Sequence, residues 1–592
     1  MTATGGYHSA GIGGSDEHDG QVTITGGEIT ATGGNGGAGI GGGAGDTDAV
    51  GGDGDVTISG GTITATGGSL GAGIGGGAYG NGTVTVTDGD ITAKATGRYG
   101  AGIGGGYGAK PKPSGTLIGG NGTVTISGGT ITEASGGYMA AGIGSGFQGL
   151  GTVTIEGAAV IKNAQGGAAG AGIGSGTRGD SEIIIRGDAV IENAESSGNG
   201  AGIGSGQGTT SYGALVPSVG NVTIEGNARI ENAKSGSGGS GIGGGFIGIG
   251  NVIIRGNAQI GNATGGEEGA GIGGGALGTG DVTIEGNVTI ENAQGGAGAA
   301  GIGGGAETQP DTEDTRNKVS IKSTEAGSPD ITATGGGASD GSLPGAAAIG
   351  SGSVADGATE VKSDITIEGK VTIDATAGGS IAKGDAIAIG DTPLQEKKFA
   401  GLPVGAVITR KDSDGVDLTQ EGDKPTEPEK PEPEKPNPNP ENPNPDQSSQ
   451  PEQPSEPDQP SEPSGAVSTS APAEELTASD AEYLVTVEGL SVTNALGKQI
   501  THTCTQNAQG KVLTIRTNSI VATAHLTMET LRTLKAQGVE TIRFCTLLYR
   551  PTSVSIDALL NLGVDEADIL WTHNGIQARL TVGGTDSSSL LQ

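Results

Sequence analysis

A glycine block built around a single isoleucine recurs along most of this chain, and it constrains the fold more than any other feature. The block appears as AGIGGG or AGIGSG, and the closest copies are 28 to 30 residues apart. A repeat period between 20 and 50 residues is the signature of a solenoid or another repeat array. The sequence therefore predicts about twelve stacked rungs, a rung being one turn of the chain. The block isoleucines are Ile12, Ile40, Ile74, Ile103, Ile143, Ile173, Ile203, Ile242, Ile272, Ile302, Ile349 and Ile389.

Each repeat carries two further apolar patches between its glycine blocks. One is an alternating V-T-I, as in Val22–Ile24 and Val153–Ile155, and the other is I-T-A-T or I-E-N-A. Short alternating runs bounded by glycine indicate strands with one buried face. The prediction is a mostly β protein, a parallel β-helix with three strands per rung. At about 4.8 Å per rung, twelve rungs make a rod on the order of 55–60 Å long.

The spacing between patches varies at one point in the repeat. The interval from block isoleucine to the next valine is 10 residues at its shortest, as from Ile143 to Val153, but reaches 21 from Ile103 to Val124. Extra residues therefore enter just after the block, and we expect loops on a single flank of the stack. Glycine suits the corners because it accepts positive φ and lets neighbouring backbones approach closely.

Asparagine recurs two positions after an isoleucine in the middle repeats. If the isoleucine points inward, so does the asparagine, and stacked amides then bond one another between rungs. We interpret these residues as a structural ladder rather than a binding site, because a buried polar group has to be hydrogen-bonded. The residues are Asn163, Asn193, Asn232, Asn262 and Asn292.

The motifs VTISGGTITATGG (residues 56–68) and AGIGGG resemble the glycine-rich repeats of surface proteins from Gram-positive anaerobes. Some of these are similar to right-handed parallel β-helix carbohydrate-binding and pectate-lyase-like proteins. The resemblance covers residues 1–410. It implies a β-helix in that region and, as a function, carbohydrate binding.

The remainder of the chain divides into two parts. Residues 421–465 are acidic and proline-rich, which predicts a disordered, extended linker. Residues 474–592 have an ordinary composition and predict a small α+β domain, with helices over 526–537 and 555–562 and a strand over 539–548. Hairpins are predicted around 507–510 and at His573-Asn574-Gly575.

The charge limits the partners. A formal net charge of −35 disfavours nucleic acid and anionic membranes. No apolar run approaches the roughly 18 residues of a membrane helix. We expect glycans or cell-wall surface components as partners. Met1 occupies the position of a repeat isoleucine, so we expect an upstream segment with a secretion signal and an extracellular location.

Acidic residues near the first glycine blocks are candidate calcium ligands. Oxygen ligands from adjacent rungs would suit Ca²⁺, although a solvated acidic loop explains the same residues. No other cofactor is indicated. The candidates are Asp16, Glu17, Asp19, Asp46, Asp48, Asp53 and Asp55.

No catalytic constellation stands out. The basic residues of the rod (Arg178, Arg186, Arg229 and Arg255) look scattered, whereas a polysaccharide lyase needs a basic group beside acidic metal ligands. His502-x-Cys504 could place a thiol beside an imidazole. Cys504 and Cys545 either form a disulfide or stay as buried thiols.

These observations predict a non-enzymatic structural or adhesive surface protein. The alternative is a carbohydrate-binding module for acidic polysaccharides, with or without calcium, and a lyase-like enzyme is the weaker alternative. The scarcity of aromatics, 2% of the chain, argues against sugar stacking, since the tyrosines of the rod lie in or near loops rather than in a repeated column.

Overall fold

The computed structural model divides into two compact units, Met1–Asn439 and Pro440–Gln592. The predicted linker, 421–465, lies outside the described residues except for Asp423. The described residues are 1–45, 51–108, 120–211, 214–307, 316–337, 345–353, 362–379, 387–391, 395–396, 405–420, 423, 482–485, 487, 489–494, 499–500, 502–507, 510–517, 522–546, 552–562, 567–573 and 578–591.

The first unit is a parallel β-helix in which three ladders of strands run along the stack, as predicted. The valine ladder contains the V-T-I strands Gly20–Ile24, Gly54–Gly67, Gly82–Ala95, Gly122–Ile126, Gly151–Ile155, Ser181–Ile185, Ser218–Ile224, Gly248–Gly256, Gly280–Gly286, Asn317–Lys322 and Ser363–Glu368. The alanine ladder contains Thr2–Thr4, Glu28–Thr32, the second halves of Gly54–Gly67 and Gly82–Ala95, then Thr130–Ser135, Val160–Gly166, Val190–Ser196, Arg229–Ser235, Gln259–Thr264, Thr289–Gln294, Asp330–Thr334, Thr372–Thr376 and Val407–Lys411.

The glycine ladder is formed by the blocks themselves. In the described residues the twelve block isoleucines form eleven in-register pairs between successive rungs. The strands are Ile12–Gly13, Ile40–Gly41, Ile74–Gly75, Ile103–Gly104, Ile143–Gly144, Ile173–Gly174, Ile203–Gly204, Ile242–Gly243, Ile272–Gly273, Ile302–Gly303, Ile349–Gly350 and Ile389–Asp391, the last with an antiparallel partner, Gln395–Glu396.

The core is a continuous column of isoleucine, valine and alanine from all three ladders. Within one rung, Ile143, Ile155 and Ile161 are each 0% exposed. Burying such a side chain contributes about 1.5–3 kcal/mol. The stack is therefore held by side chains that could not be buried by one repeat alone.

Two separate constraints require the glycine that follows each block isoleucine. These glycines have φ between +127° and +151°, a region that side-chain-bearing residues rarely adopt. In addition, a Cβ on Gly144 would overlap the carbonyl oxygen of Gly174, and one on Gly174 would overlap that of Gly204. The block recurs because the backbones of neighbouring rungs lie so close together at this position that there is no room for a side chain.

The loops on either side of the glycine block meet on one side of the stack, called here the loop flank. The Phe147 N–H donates to the Tyr99 carbonyl at 3.0 Å, and the Thr177 N–H donates to that of Met139 at 2.9 Å. One described insertion directly follows a block, as predicted, and forms a hairpin of Thr209–Ser211 with Ala214–Val216.

Arg410 closes the C-terminal end of the β-helix core. It occupies the register position of the inward-facing Ala375, yet its side chain is 0% exposed and pairs with the equally buried Asp423 at 2.7 Å. Its guanidinium also donates to the Ile389 carbonyl oxygen at 3.5 Å. The repeat pattern of the sequence does not predict this cap.

The second unit is an α+β fold, as predicted, and it contains two five-stranded sheets. One sheet contains Glu482–Val485, Thr503–Asn507, Val512–Arg516, Thr541–Cys545 and Thr552–Ser555; the other contains Ser491–Asn494, Ala522–Thr527, Asp568–His573, Ala578–Val582 and Thr585–Asp586. The helices are Met528–Ala536 and Ile556–Leu560, with a 3₁₀ turn at Ser588–Leu590.

The strands of both predicted hairpins pair, although turn residues 508–509 of the first and 574–577 of the second lie outside the described residues. The predicted start of the first helix was two residues early. Leu526 still belongs to the strand Ala522–Thr527, and the Thr527 hydroxyl caps the helix by accepting from the Thr530 N–H at 3.2 Å.

Candidate binding surface

The candidate calcium ligands Asp19 and Asp53 accept hydrogen bonds from the backbone. The Asp19 carboxylate accepts from the Asp53 N–H at 2.8 Å, and that of Asp53 accepts from the Asn81 N–H at 2.7 Å. Both residues directly precede a strand of the valine ladder. The same position continues through Asn81, whose amide oxygen accepts from the Asn121 N–H at 3.2 Å. These side chains therefore link consecutive rungs.

The other calcium candidates are dispersed. Asp16 contacts the His8 imidazole at 3.0 Å, and Glu17 is an exposed residue with a left-handed backbone, φ 58°. Asp55 lines a shallow depression of about 430 Å³ together with Asp19 and Asp53. Asp46 and Asp48 lie outside the described residues. Within the described ranges, no cluster of three or more His, Cys, Asp or Glu side chains is arranged to hold a metal ion.

Asp180 occupies the same position in a later rung, in a more buried setting. Its carboxylate accepts from the Val219 N–H at 2.8 Å. Burial raises the pKa of Asp180 from the usual 3.8 to about 6, although the Val219 hydrogen bond opposes that rise. Between these two pH values the folded chain holds a proton that the unfolded chain has released. Stability therefore falls as the pH rises through this window.

We expect Asp180→Asn to stabilise the rod at neutral pH. The new amide oxygen can still accept the hydrogen bond from the Val219 N–H, just as Asn81 accepts from the Asn121 N–H and Asn121 accepts from the Leu150 N–H. The cost of burying a charged carboxylate disappears. The free energy of unfolding should rise at pH 7 by about 3 kcal/mol and change much less near pH 4. Denaturant unfolding followed by circular dichroism at both pH values measures this. Asp19→Asn, at the exposed equivalent position, serves as the control, and an equal effect of both substitutions would contradict the explanation.

The asparagine ladder is present, but the predicted inward direction of its side chains is wrong. The Asn193 amide donates to Asn163 Oδ1 at 3.2 Å, and the Asn232, Asn262 and Asn292 amides continue the series at 3.1 to 3.3 Å. These side chains are exposed or half-buried. The ladder therefore lies on the surface of the rod.

A stacked β-bulge explains this direction. In early rungs the buried pair is Ile63 and Ala65, two residues apart, whereas in the bulged rungs it is Ile161 and Ala164, three apart. The pairing register shifts between Ile131 and Glu133 and shifts back after Ile290. One extra residue turns the intervening side chains outward. The change from I-T-A to I-x-N-A is the sequence signal for this bulge.

A column of alternating charge runs along the end of the valine ladder, so the prediction that the basic residues are scattered was wrong for two of them. Arg186 binds Glu156 at 2.5 Å and Arg255 binds Glu225 at 2.6 Å. The register continues the alternation by pairing Arg255 with Glu285, Glu285 with Lys322 and Lys322 with Glu368. The sequence signal for this column is the alternating charge of the residue that follows each V-T-I patch.

Four aromatic side chains from the loop flank meet in one cluster, which the sequence pattern does not predict. Tyr107 packs against Tyr79, Tyr99 and Phe147 with ring centroids 5.1, 4.7 and 5.8 Å apart. Tyr79 is almost fully buried and the other three rings are half-buried. The tyrosines do lie in loops, as predicted, but stacked rungs bring these loops together.

Two arginines border this cluster. The Arg98 guanidinium lies 5.5 Å from the centre of the Tyr138 ring and 5.9 Å from that of Tyr99, and Arg178 lies 5.9 Å from that of Phe147. Tyr138 is 52% exposed. We call Tyr99, Tyr107, Phe147, Tyr138, Arg98 and Arg178 the aromatic–arginine patch.

The cysteines of the second unit are buried thiols rather than a disulfide. Their strands are separated by the intervening strand Val512–Arg516, so the two residues are too far apart to bond. Burial raises the pKa of Cys504 to about 11, whereas a reactive thiol needs a lowered pKa. The His502 imidazole contacts the Ile500 carbonyl at 3.5 Å.

The most buried polar group of this unit is His573, between the hydroxyls of Thr546 and Thr552 at 3.0 and 2.7 Å. Burial lowers the pKa of His573 to about 4. The ring packs on Phe544 with centroids 4.6 Å apart. It is therefore a neutral core residue at physiological pH.

The fold and its repeats define a parallel β-helix protein. Three segments, residues 22–44, 56–78 and 124–147, match the family model described as a beta helix repeat. No curated protein and no solved structure matched the chain. None of the helices in the described residues is long and apolar enough to cross a membrane.

Proposed function

We propose that this chain is a non-enzymatic, extracellular β-helix that acts as a structural or adhesive surface protein. The observation that carries the proposal is how its outward polar side chains are used. The asparagine ladder, the aspartates that bond the next rung and the alternating charge column all bond between rungs. Side chains committed in this way stabilise a repetitive surface and are not poised for proton transfer.

A repetitive surface favours multivalent contact. Each weak contact is repeated along the stack, so attachment strengthens when many copies act together. A single molecule should therefore bind weakly, whereas a surface coated with many copies should attach firmly.

Bead adhesion tests this separation. Beads coated with the full chain are placed on surfaces of purified cell-wall polysaccharide, and adhesion is compared with binding of the soluble protein. We expect firm adhesion of beads and weak binding of monomers. Release of unsaturated sugar from polygalacturonate by the purified protein would instead make it a lyase.

Antibody labelling of intact producing cells tests the extracellular location. Labelling only after lysis of the cells would contradict that location.

Carbohydrate binding is the second candidate, and the aromatic–arginine patch favours it. Aromatic rings offer apolar faces beside polar groups, and four of the seven Tyr and Phe side chains in the described part of the first unit gather in the cluster. A glycan array with and without EDTA tests this candidate and its calcium-assisted form.

A further inference from the structure

The aromatic–arginine patch differs from the rest of the loop flank in its charge. The described loops around it are 96–101, 105–108, 136–141, 145–150, 166–171 and 175–180, and their charged residues are Arg98, Arg178 and Asp180. The Asp180 carboxylate is directed to the Val219 N–H at 2.8 Å. The patch therefore presents two exposed guanidinium groups on a chain whose formal net charge is −35.

The net charge of the chain does not decide what binds at this position. At physiological ionic strength, charges more than about 8 Å away are largely screened. Among the described residues of these loops, the groups that the patch offers to a ligand are guanidinium and aromatic. A ligand that satisfies both must carry carboxylates or similar anions next to flat apolar faces.

The geometry of the patch distinguishes between anionic ligands. The Arg98 guanidinium lies 5.9 and 5.5 Å from the ring centres of Tyr99 and Tyr138, so the cation and the aromatic faces belong to one surface. Arg178 lies beside Phe147. Phe147 follows the glycine block of the next repeat after the one that contains Tyr107. A sugar acid fits this alternation, because its ring has an apolar face and its carboxylate matches the planar guanidinium fork.

We propose that the aromatic–arginine patch binds a carboxylate-bearing polysaccharide strand, with Arg98 and Arg178 on its carboxylates and Tyr138 against a sugar face, without calcium. The inference rests on the second candidate function, carbohydrate binding. It goes further by naming the residues and by replacing calcium with arginine as the positive charge.

Binding of a galacturonate oligomer to the full chain, measured by calorimetry, tests the proposal. We expect Arg98→Gln and Tyr138→Ser each to weaken binding about tenfold, which corresponds to the loss of one charge-assisted or stacking contact. Arg186→Gln and Tyr7→Ser are the controls, since both alter exposed side chains outside the patch, and they should bind like the unmodified chain. The fully methyl-esterified oligomer should bind about tenfold more weakly.

Each contrary result has a distinct meaning. Loss of binding in EDTA would assign the charge to calcium and overturn the arginine role. Equal affinity for the esterified oligomer, or for polyglutamate, would overturn the assignment of a sugar acid. Absence of binding to the galacturonate oligomer would overturn the inference itself. The structural or adhesive proposal is judged separately by bead adhesion.

Discussion

Replacing Gly174 by alanine should unfold the middle of the β-helix at a much lower denaturant concentration. Gly174 has φ +135°, and an added Cβ would overlap the carbonyl oxygen of Gly204 in the next rung. The conformational strain costs about 1–3 kcal/mol, and forced displacement of packed neighbours costs a similar amount. The expected loss is about 3 kcal/mol or more, with faster amide exchange at Ile173 and Ile203.

Gly26→Ala is the matched control for this substitution. Gly26 is exposed, and a Cβ there would meet nothing within 4 Å. Trp571, the single tryptophan of the chain, is buried in the second unit, so its fluorescence reports that unit while circular dichroism follows the rod. Equal melting of the two glycine variants would contradict the requirement for backbone contact between rungs.

Breaking the Arg410–Asp423 pair should loosen the last rungs. Both side chains are 0% exposed and 2.7 Å apart. Removing one partner leaves an uncompensated buried charge and costs about 3–5 kcal/mol, whereas replacing both with apolar residues costs far less. We therefore expect Arg410→Met or Asp423→Leu alone to raise amide exchange at Ile373 and Ile389. The double variant should recover most of the protection.

Lys411→Ala provides the comparison for the cap. Lys411 follows Arg410 in the same strand, and its ion pair with Asp374, also 2.7 Å long, is more than a third exposed on both sides. Exposed pairs contribute about 0–1 kcal/mol. If the double variant were as unstable as the single variants, the stability would come from the shape of the cap rather than from charge pairing.

In the first unit, the features predicted from the sequence are those that repeat within the chain. The recurrence of block isoleucines such as Ile143 and Ile173 indicated the number of rungs, because each turn of the solenoid requires one inward aliphatic residue at this position. The alternation in Val153–Ile155 indicated a strand for the same reason. The hairpin between Asn507 and Gly510 followed from turn chemistry alone.

The features that were missed depend on contacts between repeats. The β-bulge moves Asn163 from the inward to the outward face of the strand. In the sequence, the bulge is visible only as one additional residue between Ile161 and Ala164. The cluster of Tyr99, Tyr107 and Phe147 arises because loops from different repeats become neighbours after stacking. Arg410 lies at an inward position that the pattern reserves for alanine, so its role depends on Asp423, 13 residues further along the chain.

The alternating charge column has a consequence for how such a gene can change in length. Deleting one repeat from this region would bring Glu156 directly against Glu225, and duplicating one would create a similar clash of like charges. Deleting or duplicating two repeats would keep opposite signs adjacent. A change of the 151–368 region by an odd number of repeats should therefore be less stable than a change by an even number.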